Sequence, residues 1–318
     1  MCSSDLARSG AGVLPGARPP APDHATVGRF AVIARLDARG PIRMYRARDE
    51  TTGTEVRLHV LDPALPEREG IPLDDWADGF EREAAAAAAA AHHPSVARLL
   101  EASLGALRSE APVRAEGAPP PKVPRPHLVY APLPGETLEA RLAVGPLRRP
   151  LAVLHDLASA VEHLHARGIL AVGLSSRAVR VSPGGLAIFA DLSRLALAGR
   201  PIHPSLELDP FAMAPEYAAS RHHDARSDLF ALGALAYEVL TGTRPFRGLD
   251  AASVMEAVRT RTPRSPRVVA GVARPLSDLV MDLLSRRAED RPASAAEVCS
   301  ALARAQAAEA STDASSED

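Results

Sequence analysis

The chain has 318 residues, enough to bury a sizeable core in one two-lobed domain or two small ones. A formal net charge of -2 with 46% hydrophobic residues gives no global steering toward nucleic acid or anionic lipid. Two cysteines, one in a tail and one in an expected helix, exclude a disulfide framework, and no run of about 18 apolar residues is present to span a membrane. Residues 1–25 mix Ser, Gly and Pro without the apolar segment of a secretory signal, so a cytoplasmic location is expected.

Residues 1–26 read as a disordered leader, and the opening MCSSDL resembles translated adapter sequence, so an artefactual start is expected. From Phe30 the pattern becomes strand-like: FAVIARL, IRMYRARD, a turn at Thr52 and Gly53, then EVRLHVL, a three-stranded antiparallel start. In the third strand, alternation with period 2 puts Arg57 and His59 on one face and Val56 and Leu58 on the other. Residues 72–91 carry strong Ala propensity with acids in the first turns and predict a long helix. A Pro-rich insertion over 105–126 reads as extended; its APPPKVPRP stretch has the composition of either a polyproline ligand or a solvated loop, and composition favours the loop. HLVYAPL then supplies a strand and a hinge.

The second half reads helical. Leu154, Leu157, Val161 and Leu164 share one helical face, with Gly168 as the C-cap. Two strands, Ala178 to Val181 and Leu186 to Ala190, pair across a Ser-Pro-Gly-Gly turn and deliver Asp191 to the end of the second. Residues 226–242 are apolar nearly all round, as a central buried helix should be. Helices are expected at 250–259 and 275–286, and a last one begins at Ser294 with Glu297 three residues on, a capping-box pattern. Residues 306–318 read as a disordered acidic tail. The histidine pairs 92/93, 163/165 and 222/223 have spacings that do not converge on one metal ion.

Helix, loop, hairpin and Asp occur in the order and spacing of a protein kinase's catalytic and magnesium loops. The family's HRDLxxxN falls on Ala171, Val172, Gly173, Leu174, Ser175, Ser176, Arg177 and Ala178, and its DFG on Asp191, Leu192 and Ser193. APE falls on Ala214, Pro215 and Glu216, VAIK on Val56, Arg57, Leu58 and His59, and EDRP carries Arg291. RSDLFALGALAYEVLTG carries the family's Asp228 and Gly233. Over roughly residues 28–305 the chain resembles the bacterial type of serine/threonine protein kinase, and within that family it looks like a pseudokinase. The resemblance implies an α+β, two-lobed fold over 27–305: a small β-rich N-lobe with one main helix (27–131) and a larger, mainly helical C-lobe (136–305).

It also implies a site whose catalytic positions are not intact. His59 stands for the lysine that holds the phosphates, Gly173 for the Asp that accepts the substrate proton, Ser175 for the neighbouring lysine and Ala178 for a metal-binding Asn. The glycine-loop positions hold Asp37, Arg39, Ile42 and Met44, with only Gly40 to free the backbone. Arg57 and Arg180 flank the adenine slot, so a filled cleft is expected, with Asp191 or Glu83 as counter-ions. The alternative is that these arginines bind an anionic small molecule. Glu83 is either the helix glutamate paired with a protonated His59 or a solvent-facing residue beside Arg82. No cofactor is expected in this cleft; ATP with magnesium would depend on Asp191 as its metal ligand. Glu216, Asp228, Gly233 and Arg291 are the retained structural positions. Residues 192–213 carry no Thr, and Asp209 replaces the family's Thr, so loop phosphorylation is not expected. The implied role is a regulatory or scaffolding module that docks an active kinase or a substrate protein. A weakly active serine/threonine kinase using Asp191 is the enzyme alternative.

Overall fold

The computed structural model describes residues 26–39, 42–61, 73–90, 92–104, 125–199 and 208–316. The leader before Thr26, Gly40, the side chains of Asp37 and Arg39, and residues 105–124 of the Pro-rich insertion lie outside the described residues, as do 200–207 of the activation-segment equivalent.

Among the described residues, the N-lobe is built on a six-stranded antiparallel sheet. Strands β1 (Thr26–Val27), β2 (Phe30–Arg39), β3 (Ile42–Asp49) and β4 (Glu55–Leu61) run in sequence. After helix α1 (Leu73–Ala89), β5 (Leu99–Ser103) and β6 (His127–Tyr130) complete the order β1-β2-β3-β4-β6-β5. Thr26 already pairs with Ala31, so the expected leader ends one residue too late. The sheet's two faces bury different residues, as period 2 dictates. Tyr45, Val56, Leu58 and Val60 join Val27 and Phe30 in one cluster, while Leu61, Leu128 and Tyr130 belong to the main core with Trp76 and Phe80 of α1. The poly-alanine end of α1 serves close packing: Ala84, Ala86, Ala87 and Ala90 are all buried.

The C-lobe is mainly helical: α2 (Leu138–Val144), α3 (Pro150–His165), α4 (Pro215–Ser220), α5 (Ala225–Thr241), α6 (Ala251–Thr260), α7 (Pro266–Ala270), α8 (Arg274–Leu283) and α9 (Ala295–Ser316). Between α1 and α4, short strands β7 (Glu136–Thr137), β8 (Ile169–Leu170), β9 (Val179–Val181), β10 (Ala187–Phe189) and β11 (Ala196–Leu197) build two small sheets, β10-β9-β7 and β11-β8. Helix α5 is buried along nearly its whole length and opens with a capping box from Asp224 and Ser227. Helix α9 starts as expected, with Ser294 accepting from Glu297 N, but Glu297 reaches Ala293 N rather than Ser294 N. The expected disordered tail is corrected: α9 continues to Ser316, because its Ala-rich sequence has nothing to stop it. The lobes are tied by backbone bonds from Ala97 N to Phe189 O and from Phe189 N to Ser95 O.

Candidate functional site

The cleft-facing side of β4 carries the site. Antiparallel register sets Met44 beside His59, Arg46 beside Arg57, and Tyr130 on the other flank of Arg57. His59 Nδ1 lies 2.6 Å from Glu83 Oε1, and the same oxygen accepts the Tyr130 hydroxyl at 2.7 Å. Glu83 is 2% exposed, so the buried alternative of the two sequence readings describes it. His59 Nε2 also lies 3.4 Å from Arg57 Nη2, so the imidazole bridges the guanidinium and the Glu83 carboxylate. Arg57, His59, Glu83 and Tyr130 thus form one relay from a guanidinium to a carboxylate. Burial, followed by the charge of Glu83 and its hydrogen bond, pushes the Tyr130 hydroxyl well above its ordinary pKa. Tyr130 was missed by sequence reasoning; its position at the end of a wholly buried strand was the available signal.

Arg57 donates to Ala190 O at 3.1 Å. Burial lowers its pKa, and the field of Asp191 is the largest opposing effect. The expected ion pair with Asp191 or Glu83 is therefore a field and not a contact, because both carboxylates are engaged elsewhere. Asp191 accepts the Ser193 hydroxyl at 2.5 Å and lies 3.3 Å from Arg194 Nε. It sits just before a single 3-10 turn, Leu192–Arg194, which brings the arginine back over the loop. The stem of Arg194 packs on Gly173, and a Cβ at Gly173 would stand 2.8 Å from Arg194 Cγ and overlap Cβ and Cδ. Nothing in the sequence separated this arginine from a surface residue.

Arg180, on β9, donates to Gly135 O, and burial lowers its pKa against the attraction of Glu136. Its expected counter-ion is corrected accordingly: Glu136 acts on it, because β9 pairs with β7 and turns Arg180 toward that strand. Ala178 offers no side-chain ligand; its carbonyl accepts Ala190 N at 2.8 Å and Asp191 N at 3.3 Å. Ser175 is buried, and its carbonyl accepts Ala178 N at 3.0 Å.

Below this cleft, Glu139 of α2 joins two arginines, Arg177 at 2.9 Å and Arg244 at 3.0 Å. Arg244 also stacks over Phe211 at 3.9 Å and approaches Glu238 at 3.7 Å. Around Ser175, Ser176, Asp209 and Phe211 this leaves a cavity of about 10 Å³. Sequence reasoning missed Arg177 and Arg244 as partners, since their common carboxylate lies on another element.

The retained structural positions come together in the C-lobe. Arg291, with a side chain 0% exposed, donates twice to Glu216, each arm at 2.8 Å, and Ser227 adds a hydroxyl at 2.6 Å. Asp228, fully buried, accepts Ala171 N at 2.7 Å, His165 Nε2 at 2.8 Å and His223 Nε2 at 2.6 Å. Although burial pushes its pKa up, the charge of His223 and the bonds from both histidines hold it below the ordinary carboxylate value. His223, expected in a plain loop, is in fact a buried partner of Asp228. Gly233 is required by close approach: a Cβ there would stand 2.6 Å from Leu283 Cβ of α8. Among the described residues no group of three or more His, Cys, Asp or Glu side chains could hold a metal ion, and no helix is long and apolar enough to cross a membrane.

Comparison with known proteins agrees with this architecture. The protein kinase domain family matches residues 148–302. The chain is 32% identical over 292 residues to the DNA damage-responsive serine/threonine-protein kinase RqkA of Deinococcus radiodurans, covering 87% of this chain and 40% of that protein. It is 30% identical over 306 residues to serine/threonine-protein kinase pkn2 of Myxococcus xanthus, covering 91% and 34%. Against serine/threonine-protein kinase PknL of Mycobacterium tuberculosis the identity is 28%, covering 88% and 66%. The chain thus spans 40% or less of the length of the first two relatives. With its curled β-sheet lobe, its helical lobe and these relatives, the chain carries a protein kinase superfamily domain of the bacterial serine/threonine type.

Proposed function

We propose that this domain is a catalytically inactive pseudokinase that acts as a regulatory or scaffolding protein-binding module. One observation carries the reading: the stem of Arg194 fills the space over Gly173, where the family's proton-accepting Asp would project, and its Nε lies 3.3 Å from Asp191. A positioned base alone contributes about 10² to 10⁴ in rate. His59 in place of the phosphate-holding lysine, Ala178 in place of a metal ligand and Arg57 at the adenine wall point the same way. ATP with magnesium does not fit these residues: Asp191 already has a guanidinium beside it, and a magnesium site in this position depends on substrate phosphates for much of its coordination. The residues that hold the helical lobe together remain, which suits docking of an active kinase or a substrate protein.

A second reading, a serine/threonine kinase with weak or atypical phosphotransfer, is favoured by the names of the relatives and by the retained Asp191. Thermal-shift titration with ATP and ADP, with and without magnesium, tests the two, because a ligand bound to the folded state raises its apparent stability. The pseudokinase reading expects a flat response at millimolar nucleotide. A saturable, magnesium-dependent rise, with ATP-dependent labelling lost in Asp191→Ala, overturns it.

A further inference from the structure

The strip of chain joining α6 to α8 is strongly basic. From Ala257 to Ser277 there are five arginines, at 259, 261, 264, 267 and 274, and no Asp or Glu, in a chain whose formal net charge is -2. Two of the five are neutralised by neighbours in their own helices: Arg259 lies 3.4 Å from Glu256, and Arg274 lies 3.4 Å from Asp278. Arg261, Arg264 and Arg267 are exposed and have no carboxylate within ion-pair distance among the described residues. Arg286 donates to Thr260 O at the end of α6 and extends the same surface.

Helix stabilisation accounts for only part of this. A cation beside the C-terminus of α6 complements the helix dipole, which covers Arg259 and Arg261. It does not cover Arg264, which lies in the extended link, or Arg267, at the start of α7. Between these cations α7 exposes Val268 (64%) and Val269 (37%).

We propose that the α6–α7 surface, centred on Arg261, Arg264 and Arg267, is a docking site for an acidic segment of a partner protein. Charge complementarity selects an acidic ligand, and three exposed guanidiniums present forked donors that match carboxylates in pairs. The choice of a protein over a nucleic acid rests on what accompanies the charge. Single strands need aromatic stacking platforms, and no aromatic side chain is among the exposed large hydrophobics of the described residues. Duplex readout needs a helix or ribbon long enough to enter a groove, and α7 has 5 residues. Exposed valines between arginines suit a peptide with aliphatic side chains among its acids. In naming a protein partner this inference rests on the domain's reading as a binding module.

The test is fluorescence anisotropy of the full chain with a labelled peptide of Glu, Asp and Leu, beside a single-stranded oligonucleotide of equal charge. The expected result is salt-sensitive peptide binding that weakens about tenfold in Arg261→Ser/Arg264→Ser/Arg267→Ser, as removal of complementary charges does. Binding should persist in Arg46→Ser/Arg48→Ser, which removes exposed charge from β3 far from the patch. All these side chains are exposed, so each variant should keep the wild-type melting temperature. Absence of peptide binding, equal weakening in both variants, or oligonucleotide binding that alone depends on the triple substitution overturns the proposal. Nucleotide titration of the same preparations separates the two questions: a nucleotide response would remove the inactive-module reading and leave the peptide result standing.

Discussion

Arg194 occupies the space that any side chain on Gly173 would need; a Cβ there would stand 2.8 Å from Arg194 Cγ and overlap two further stem carbons. The conflict involves the arginine's Cβ as well as its flexible end, so a rotamer change alone does not relieve it. Gly173→Ala should destabilise the fold by about 1–3 kcal/mol, the usual cost of overpacking. Combined with Arg194→Gly, most of that loss should return, giving a coupling that a double-mutant cycle in urea measures directly. Additive losses would show that the two residues do not share the space. Gly173→Asp alone should not produce phosphotransfer, because it restores a carboxylate without clearing the guanidinium.

The Glu216–Arg291 pair is asymmetric, and its variants should be too. Arg291 has no exposed side-chain surface, also donates to the carbonyls of Ser285 and Arg226, and lies over the Phe230 ring at 5.1 Å. Breaking a buried pair leaves an uncompensated charge and costs about 3–5 kcal/mol. Arg291→Met should fall at the upper end of that range. Glu216→Gln should cost less, since its carboxylate is partly exposed and the arginine keeps its carbonyl partners. Arg291 and the Ser227 hydroxyl hold the Glu216 pKa down against burial. Its contribution is therefore complete above the unfolded value of 4.5 and is lost as pH falls through the lower folded value; Glu216→Gln should remove that part of the acid slope in a melting-temperature series.

His93 gives the opposite end of the neutral range. Its Nδ1 accepts Ser95 N at 3.1 Å and its Nε2 lies 3.1 Å from the Ser159 hydroxyl, which fixes the neutral ring with the proton on Nε2. Burial lowers its pKa, and the fields of His163 and Arg167 lower it further. A depressed folded pKa means that the stabilisation is full above 6.5, the unfolded value, and declines as pH falls through the folded one. Urea midpoints should drop between neutral pH and mildly acidic pH, and His93→Gln should flatten that part of the curve. An unchanged slope would mean that the ring is not held neutral by this loop.

The fold was legible because its signals are local or have fixed spacing. The alternation of EVRLHVL put Arg57 and His59 on the cleft face, the all-round apolar run over 226–242 announced α5, and Asp191 stands at the end of the expected hairpin. What the sequence concealed depends on contacts between elements distant in the chain. Tyr130 meets Glu83 across 47 residues, Arg244 meets Glu139 across 105, and no periodicity within either element encodes the meeting. Arg194 was hidden for a different reason: its role follows from one 3-10 turn, whose direction three residues do not specify. The counter-ions of Arg57 and Arg180 were misassigned because charge balance predicted carboxylate contacts. Backbone carbonyls took the bonds instead, Ala190 for one and Gly135 for the other.

The Tyr130 hydroxyl tests how the cleft relay is held. It gives Glu83 Oε1 a second bond beside that from His59, in a place where neither residue reaches water. Tyr130→Phe keeps the ring, its tilted contact with His59 at 4.7 Å and its packing, and removes one donor from a buried carboxylate. Hydrogen bonds to charged groups contribute about 1.5–3 kcal/mol, so a loss of that size is expected in chemical denaturation. Glu83→Gln should also lower stability, since a neutral amide is a weaker acceptor for both donors, while Arg57 keeps its bond to Ala190 O. If Tyr130→Phe left the denaturation midpoint unchanged, His59 alone would suffice to hold Glu83, and the four-residue relay would reduce to a pair.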